Sequence, residues 1–81
     1  MTFVAVDAEA GRYEYRGHQV HFELHIEDDG KVSKLVIHYP LELMGGRDDP
    51  DFLHNGWADR TSAMQAAMER AAQVIDRKLN R

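Results

Sequence analysis

The chain has 81 residues, none of them cysteine, and a formal net charge of −4. A chain of this length builds one core and buries roughly 60% of the surface its unfolded state exposes, and without cysteine it has neither a disulfide framework nor a thiolate metal site. The negative charge and the scatter of its ten Lys and Arg residues disfavour a nucleic-acid partner, while 43% hydrophobic and 30% charged residues exclude a disordered chain.

At the N-terminus, Met1-Thr2-Phe3-Val4-Ala5-Val6-Asp7 has no basic leader, and its apolar run is too short for a signal peptide or a membrane span. This predicts a cytoplasmic protein with no membrane association. Residues 1–10 are expected to be an extra edge strand or a loose terminus of a single domain spanning 1–81.

From Arg12 to Tyr39 polar and apolar residues alternate with period two, broken by turn signals at Arg16-Gly17-His18 and Asp28-Asp29-Gly30. Three strands are predicted, about Arg12–Arg16, His18–Glu27 and Lys31–Tyr39. A two-residue turn at Asp29-Gly30 sets Leu24 opposite Leu35, Phe22 opposite Ile37 and Val20 opposite Tyr39, so the apolar sets coincide. A turn at Gly17-His18 adds Tyr15 opposite Val20 and Tyr13 opposite Phe22. A turn at Arg16-Gly17 changes those partners but keeps the faces. The other face carries Gln19, His21, Glu23, His25 and Glu27, and Val32 and Val36 are expected there too.

After Pro40 the alternation fades, and Gly45-Gly46 with Asp48-Asp49-Pro50-Asp51 reads as a polar loop. Asp48, Asp49 and Asp51 lack the glycine and glutamate spacing of a calcium loop. Phe52–His54 or Trp57–Ala58 is a candidate further strand. Between Thr61 and Leu79 the period becomes helical, with Met64, Met68, Ala71, Ile75 and Leu79 on one stripe widened by Ala67, Ala72 and Val74. Asp59, Thr61 or Ser62 is expected to cap the helix, Ser62 and Gln65 having capping-box spacing. Arg77, Lys78 and Arg81 then complement the dipole at its C-terminal end. The predicted class is α+β: a three- to four-stranded antiparallel β-meander with one C-terminal amphipathic helix packed on one face.

Such a sheet leaves one face open, and two groups of residues there and nearby are candidates for function. With the Gly17-His18 turn, Glu14, His21 and His38 form a cross-strand row on the open face, and directly opposed Cβ atoms about 4.5–5.5 Å apart suit two imidazoles and a carboxylate to one zinc ion. The second group is apolar: Val36, Leu41, Leu43, Met44, Phe52, Leu53 and Trp57 either plug the core ends or form a patch for another chain. No nucleophile elbow, Walker loop, zinc-protease motif or cysteine nucleophile is present. No catalytic residue and no cofactor is assigned.

Tyr15-Arg16-Gly17-His18, the Asp29-Gly30 hairpin and the helix from Ser62 through Ala66, Ala67 and Ala71 to Ile75-Asp76 resemble small bacterial domains of unknown function. The layout is also similar to the HicB-family antitoxins, in which a β-meander and helix form a partner-binding domain. Tyr39-Pro40-Leu41-Glu42 and Thr61-Ser62-Ala63-Met64 stand where that family has a Pro-Asp-x-x-Gly-like segment and a Thr-x-x-Glu-Ala helix start. The expectation is a non-enzymatic protein-interaction domain that associates with itself or with another protein. The alternative is a small-molecule or metal-binding protein using the histidine-bearing face.

Overall fold

The structure, a computed structural model, describes residues 2–80. Met1 of the N-terminal segment and Arg81 of the basic helix end lie outside the described residues. The elements run β1 (Val4–Asp7), β2 (Arg12–Tyr15), β3 (His18–Ile26), β4 (Val32–His38), β5 (Asp51–Leu53) and α1 (Arg60–Leu79). The strands pair antiparallel in the order β1-β2-β3-β4-β5, one strand more than the upper count expected from the alternation. The α+β meander with one helix is as expected. The fifth strand arises because the N-terminal segment and Asp51–Leu53 both pair, one at each edge.

The first hairpin turns at Arg16-Gly17, where φ is +53° and +80°. Both central residues in the left-handed region twist the loop to match the strands. Tyr15 therefore lies opposite His18, Tyr13 opposite Val20 and Arg12 opposite His21. The second hairpin departs from the expected two-residue loop. Glu27 N–H donates to Lys31 O at 2.7 Å and Gly30 N–H donates to Glu27 O at 2.9 Å, enclosing a three-residue loop, Asp28 to Gly30, that ends with Gly30 at φ +86°.

That longer loop displaces the ladder by one residue, and a bulge near Ser33 restores it. Ile26 pairs with Val32, whereas His25 pairs with Lys34 and Leu24 with Leu35. The bulge is also why Val32 is not on the open face beside Glu27. It pairs with Ile26, exchanges backbone hydrogen bonds with Trp57 at 3.0 and 2.8 Å, and is 1% exposed.

The helix-covered face carries Tyr15, Val20, Phe22, Leu35, Ile37 and Tyr39, all buried, against Ala67, Ala71, Ala72 and Ile75. Tyr13 and Leu24 pack at its margin, so the eight residues assigned by alternation share this face. Each large apolar side chain buried here stabilises the fold by about 1.5–3 kcal/mol before ordering costs, and the alanines supply a flat helix surface that seats close to the sheet. Phe3 stacks on Tyr15 with ring centroids 4.7 Å apart and closes the core beside β1. Leu79 departs from the expected stripe: it is 38% exposed because the helix ends there, with Asn80 as its C-cap. At the other end Asp59 is the N-cap, its Oδ1 accepting from Ser62 N–H at 2.8 Å. Ser62 lies inside the first turn and does not cap.

Two aspartate clusters fasten the helix to the sheet. Tyr15 Oη donates to Asp76 at 3.0 Å, and Arg16 Nη1 approaches the same carboxylate at 2.9 Å. Tyr39 Oη donates to Asp51 at 2.7 Å, and Arg70 Nε donates to the same oxygen at 3.0 Å. Asp51 is thus part of β5 and of a helix tether. It does not belong to the exposed loop in which the acidic run placed it.

Candidate functional site

No helix among the described residues is long and apolar enough to cross a membrane. The helix covers one face of the sheet, and the opposite face is lined by side chains that alternate with the core residues. Arg12 and Glu14 come from β2, Gln19, His21, Glu23 and His25 from β3, Lys34, Val36 and His38 from β4, and Phe52 from β5. Period two puts them there: successive side chains of a strand point to opposite faces, so these residues face away from the helix-covered set.

The titratable cluster on this face is built on β3 and β4. His21 and His38 are directly paired, and their rings lie near-parallel with centroids 5.5 Å apart. Glu23, two residues beyond His21, reaches diagonally across the ladder to place Oε1 2.9 Å from His38 Nε2. One ligand atom from each of His21, Glu23 and His38 lies within 4.8 Å of the other two. His38 is about one-third exposed and Glu23 about half exposed, so the cluster faces solvent from a rigid ladder and not from a loop. Beside it Arg12, Gln19, His21, His38, Tyr39 and Pro40 line a shallow depression of about 300 Å³.

Glu14 is not brought to this cluster. The Arg16-Gly17 turn sets it opposite Gln19 and Val4, and Arg12 takes the place beside His21. The two turn positions compatible with the sequence differ by two residues in pairing, which decides whether an acid or a base flanks His21. The residue missed as a partner for His38 is Glu23. A signal for it was available, since diagonal neighbours in an antiparallel pair lie about 7–8 Å apart and remain within reach of long side chains.

The apolar candidates separate. Leu43, Met44, Leu53 and Trp57 are partly buried and pack against the core cluster. Val36 is 4% exposed, with Glu23 and Phe52 as its cross-strand neighbours. Leu41 and Phe52 alone of the seven are strongly exposed, at 51% and 55%. Phe52 projects from the open face with the Lys34 ammonium 5.4 Å from its ring centroid. The strand edge at Leu35-Val36-Ile37, open in a simple three-stranded meander, is occupied by β5. A larger depression, about 480 Å³ beside Val32 and Trp57, shares no residue with the histidine cluster.

Electrostatic perturbation is concentrated in the tethers. Burial on its own raises the Asp51 carboxyl, but hydrogen bonds from Arg70 and Tyr39 and the nearby guanidinium charge outweigh it and hold it below the ordinary carboxylate value. Burial, then the bond to Asp51, pushes the Tyr39 phenol far up. The Arg16 guanidinium lowers Asp76, and the Ser62 backbone N–H lowers Asp59. These groups are structural partners of one another on the helix side of the sheet, so the perturbations mark tethers and not a reaction centre.

No protein family, curated protein or solved structure matches the chain. The reading of the open face therefore rests on its own geometry.

Proposed function

We propose that the protein is a small non-enzymatic interaction module whose open sheet face meets a second copy of the chain. The observation that carries this reading is Phe52, a large aromatic side chain 55% exposed on a sheet face that no described element covers. Aromatic residues are enriched in interface cores and supply contact area at low entropic cost. The same face carries Arg12 and Lys34 as well as Glu14 and Glu23, so a twofold rotation can set acid against base, as an isologous interface requires.

Magnitude sets the strength of the association. The five strands, of 4, 4, 9, 7 and 3 residues, rise about 3.4 Å per residue and lie about 4.8 Å apart, so the face offers on the order of 400–450 Å² per partner. A standard stable interface buries roughly 800 Å² per partner. The expected dimer is weak and concentration-dependent. Sedimentation equilibrium should show monomer at low concentration giving way to dimer as concentration rises, and Phe52→Asp should abolish the transition without changing the circular dichroism spectrum. A strict monomer at the highest attainable concentration would sink the reading, as would undiminished dimerisation of the Phe52→Asp variant.

A further inference from the structure

We infer that His21, Glu23 and His38 form a binding site for a single divalent transition-metal ion of the zinc type. Two imidazoles and one carboxylate are a borderline-to-hard donor set suited to zinc, cobalt or nickel, and too nitrogen-rich for magnesium or calcium. The three ligand atoms already lie within 4.8 Å of one another. Tetrahedral zinc, with bonds of about 2.0–2.1 Å, holds its ligand atoms about 3.3 Å apart. The remaining adjustment falls within side-chain rotation, and the backbone positions are set by the continuous β3–β4 pairing from His21↔His38 to Glu23↔Val36.

The Glu23 carboxylate, 2.9 Å from His38 Nε2, is a hydrogen-bond partner in the metal-free protein and becomes a ligand when the ion arrives. Three protein ligands leave one coordination position open, toward solvent and the neighbouring depression. Arg12, directly opposite His21, is the charge that opposes a dication here. Its removal should therefore strengthen binding.

The site lies on the same open face as the proposed self-association and shares Glu23 and Arg12 with it, so it is tested on the dilute monomer, where the two are separable. Dilute protein is titrated with zinc chloride alone while the imidazole carbon-proton signals are followed by NMR. His21 and His38 should shift and saturate at stoichiometric zinc, His18, His25 and His54 should not, and magnesium should move none of them. The melting temperature should rise with zinc, because an ion that binds the native state stabilises it by mass action. Glu23→Gln should leave the metal-free melting temperature in place but weaken the zinc response at least tenfold in concentration. Arg12→Gln should enhance the response, and His25→Ala should leave it intact. The assignment is overturned if His21 and His38 fail to respond to excess zinc, if all five histidines respond alike, or if Glu23→Gln binds as the parent does.

Discussion

At Gly11 the backbone adopts φ +75°, and an added Cβ would run into the carbonyl oxygen of Phe22. The same two residues are already joined, Phe22 N–H donating to Gly11 O at 2.9 Å. A side chain here meets backbone that cannot swing aside, so Gly11→Ala combines left-handed strain with displacement of β3. It should destabilise the protein by about 2–3 kcal/mol in chemical denaturation. Gly17 has a similar φ of +80° but open space around its Cβ position, so Gly17→Ala should cost only the conformational part, about 1–2 kcal/mol. Equal losses at the two sites would show that φ alone matters. Arg16 accepts positive φ without being glycine, and its guanidinium is held by Asp76 at 2.9 Å. That ion pair offsets part of the turn's strain.

The helix is an element that its own sequence favours and that its tethers orient. Asp59 caps it, Arg77 and Lys78 lie in its last turn, and alanines line its buried stripe. None of these residues specifies its angle on the sheet. Asp51 and Asp76 reach that end by joining β5 to the middle of the helix at Arg70 and the β2–β3 turn to its C-terminal part at Asp76. Because the folded protein holds both carboxyls below their ordinary value, their contribution is fully present above about pH 4, the unfolded range, and is lost as pH falls through the lower folded values. Asp51→Asn should remove about 1–2 kcal/mol at neutral pH. It should also flatten the decline in stability between neutral pH and strongly acidic conditions. An acid unfolding profile as steep as the parent's would show that Asp51 is not a source of that decline.

For the molecule as a whole, one buried sheet face supplies most of the stabilisation. Phe22 is 3% exposed within the core cluster, and Phe22→Ala should cost about 3–5 kcal/mol. A domain of this size has only about 4–12 kcal/mol in total. Glu23, its neighbour along β3, points to the other face, and Glu23→Ala should stay within about 0.5 kcal/mol. Thermal unfolding of the two variants separates the faces, and a large loss at Glu23 with none at Phe22 would invert the assignment. The open face then has freedom that the core lacks. Substitutions of its exposed charges and of Phe52 should therefore leave the fold intact.

Alternation placed the inward set from Tyr13 to Tyr39 on one face whichever of the two turns closes the first hairpin, and it failed only at Val32, where a three-residue loop and a bulge shift the start of β4. Helical periodicity did the same for α1, from the alanine stripe to Ile75. The short edge strands escaped a firm reading, since three or four residues carry too little pattern to outweigh neighbouring turn signals. The side-chain neighbours on the open face were decided only by the tertiary structure. A two-residue change in pairing preserves every inward side chain and is invisible to hydrophobic pattern, yet it exchanges Glu14 for Arg12 beside His21. The reach of Glu23 to His38 likewise depends on the diagonal geometry of a paired ladder. The burial of Leu43, Met44, Leu53 and Trp57 depends on where the irregular segment folds back. Hydrophobic burial is insensitive to such detail because it depends on area and face, whereas a binding site depends on which atoms lie within a few ångströms of one another.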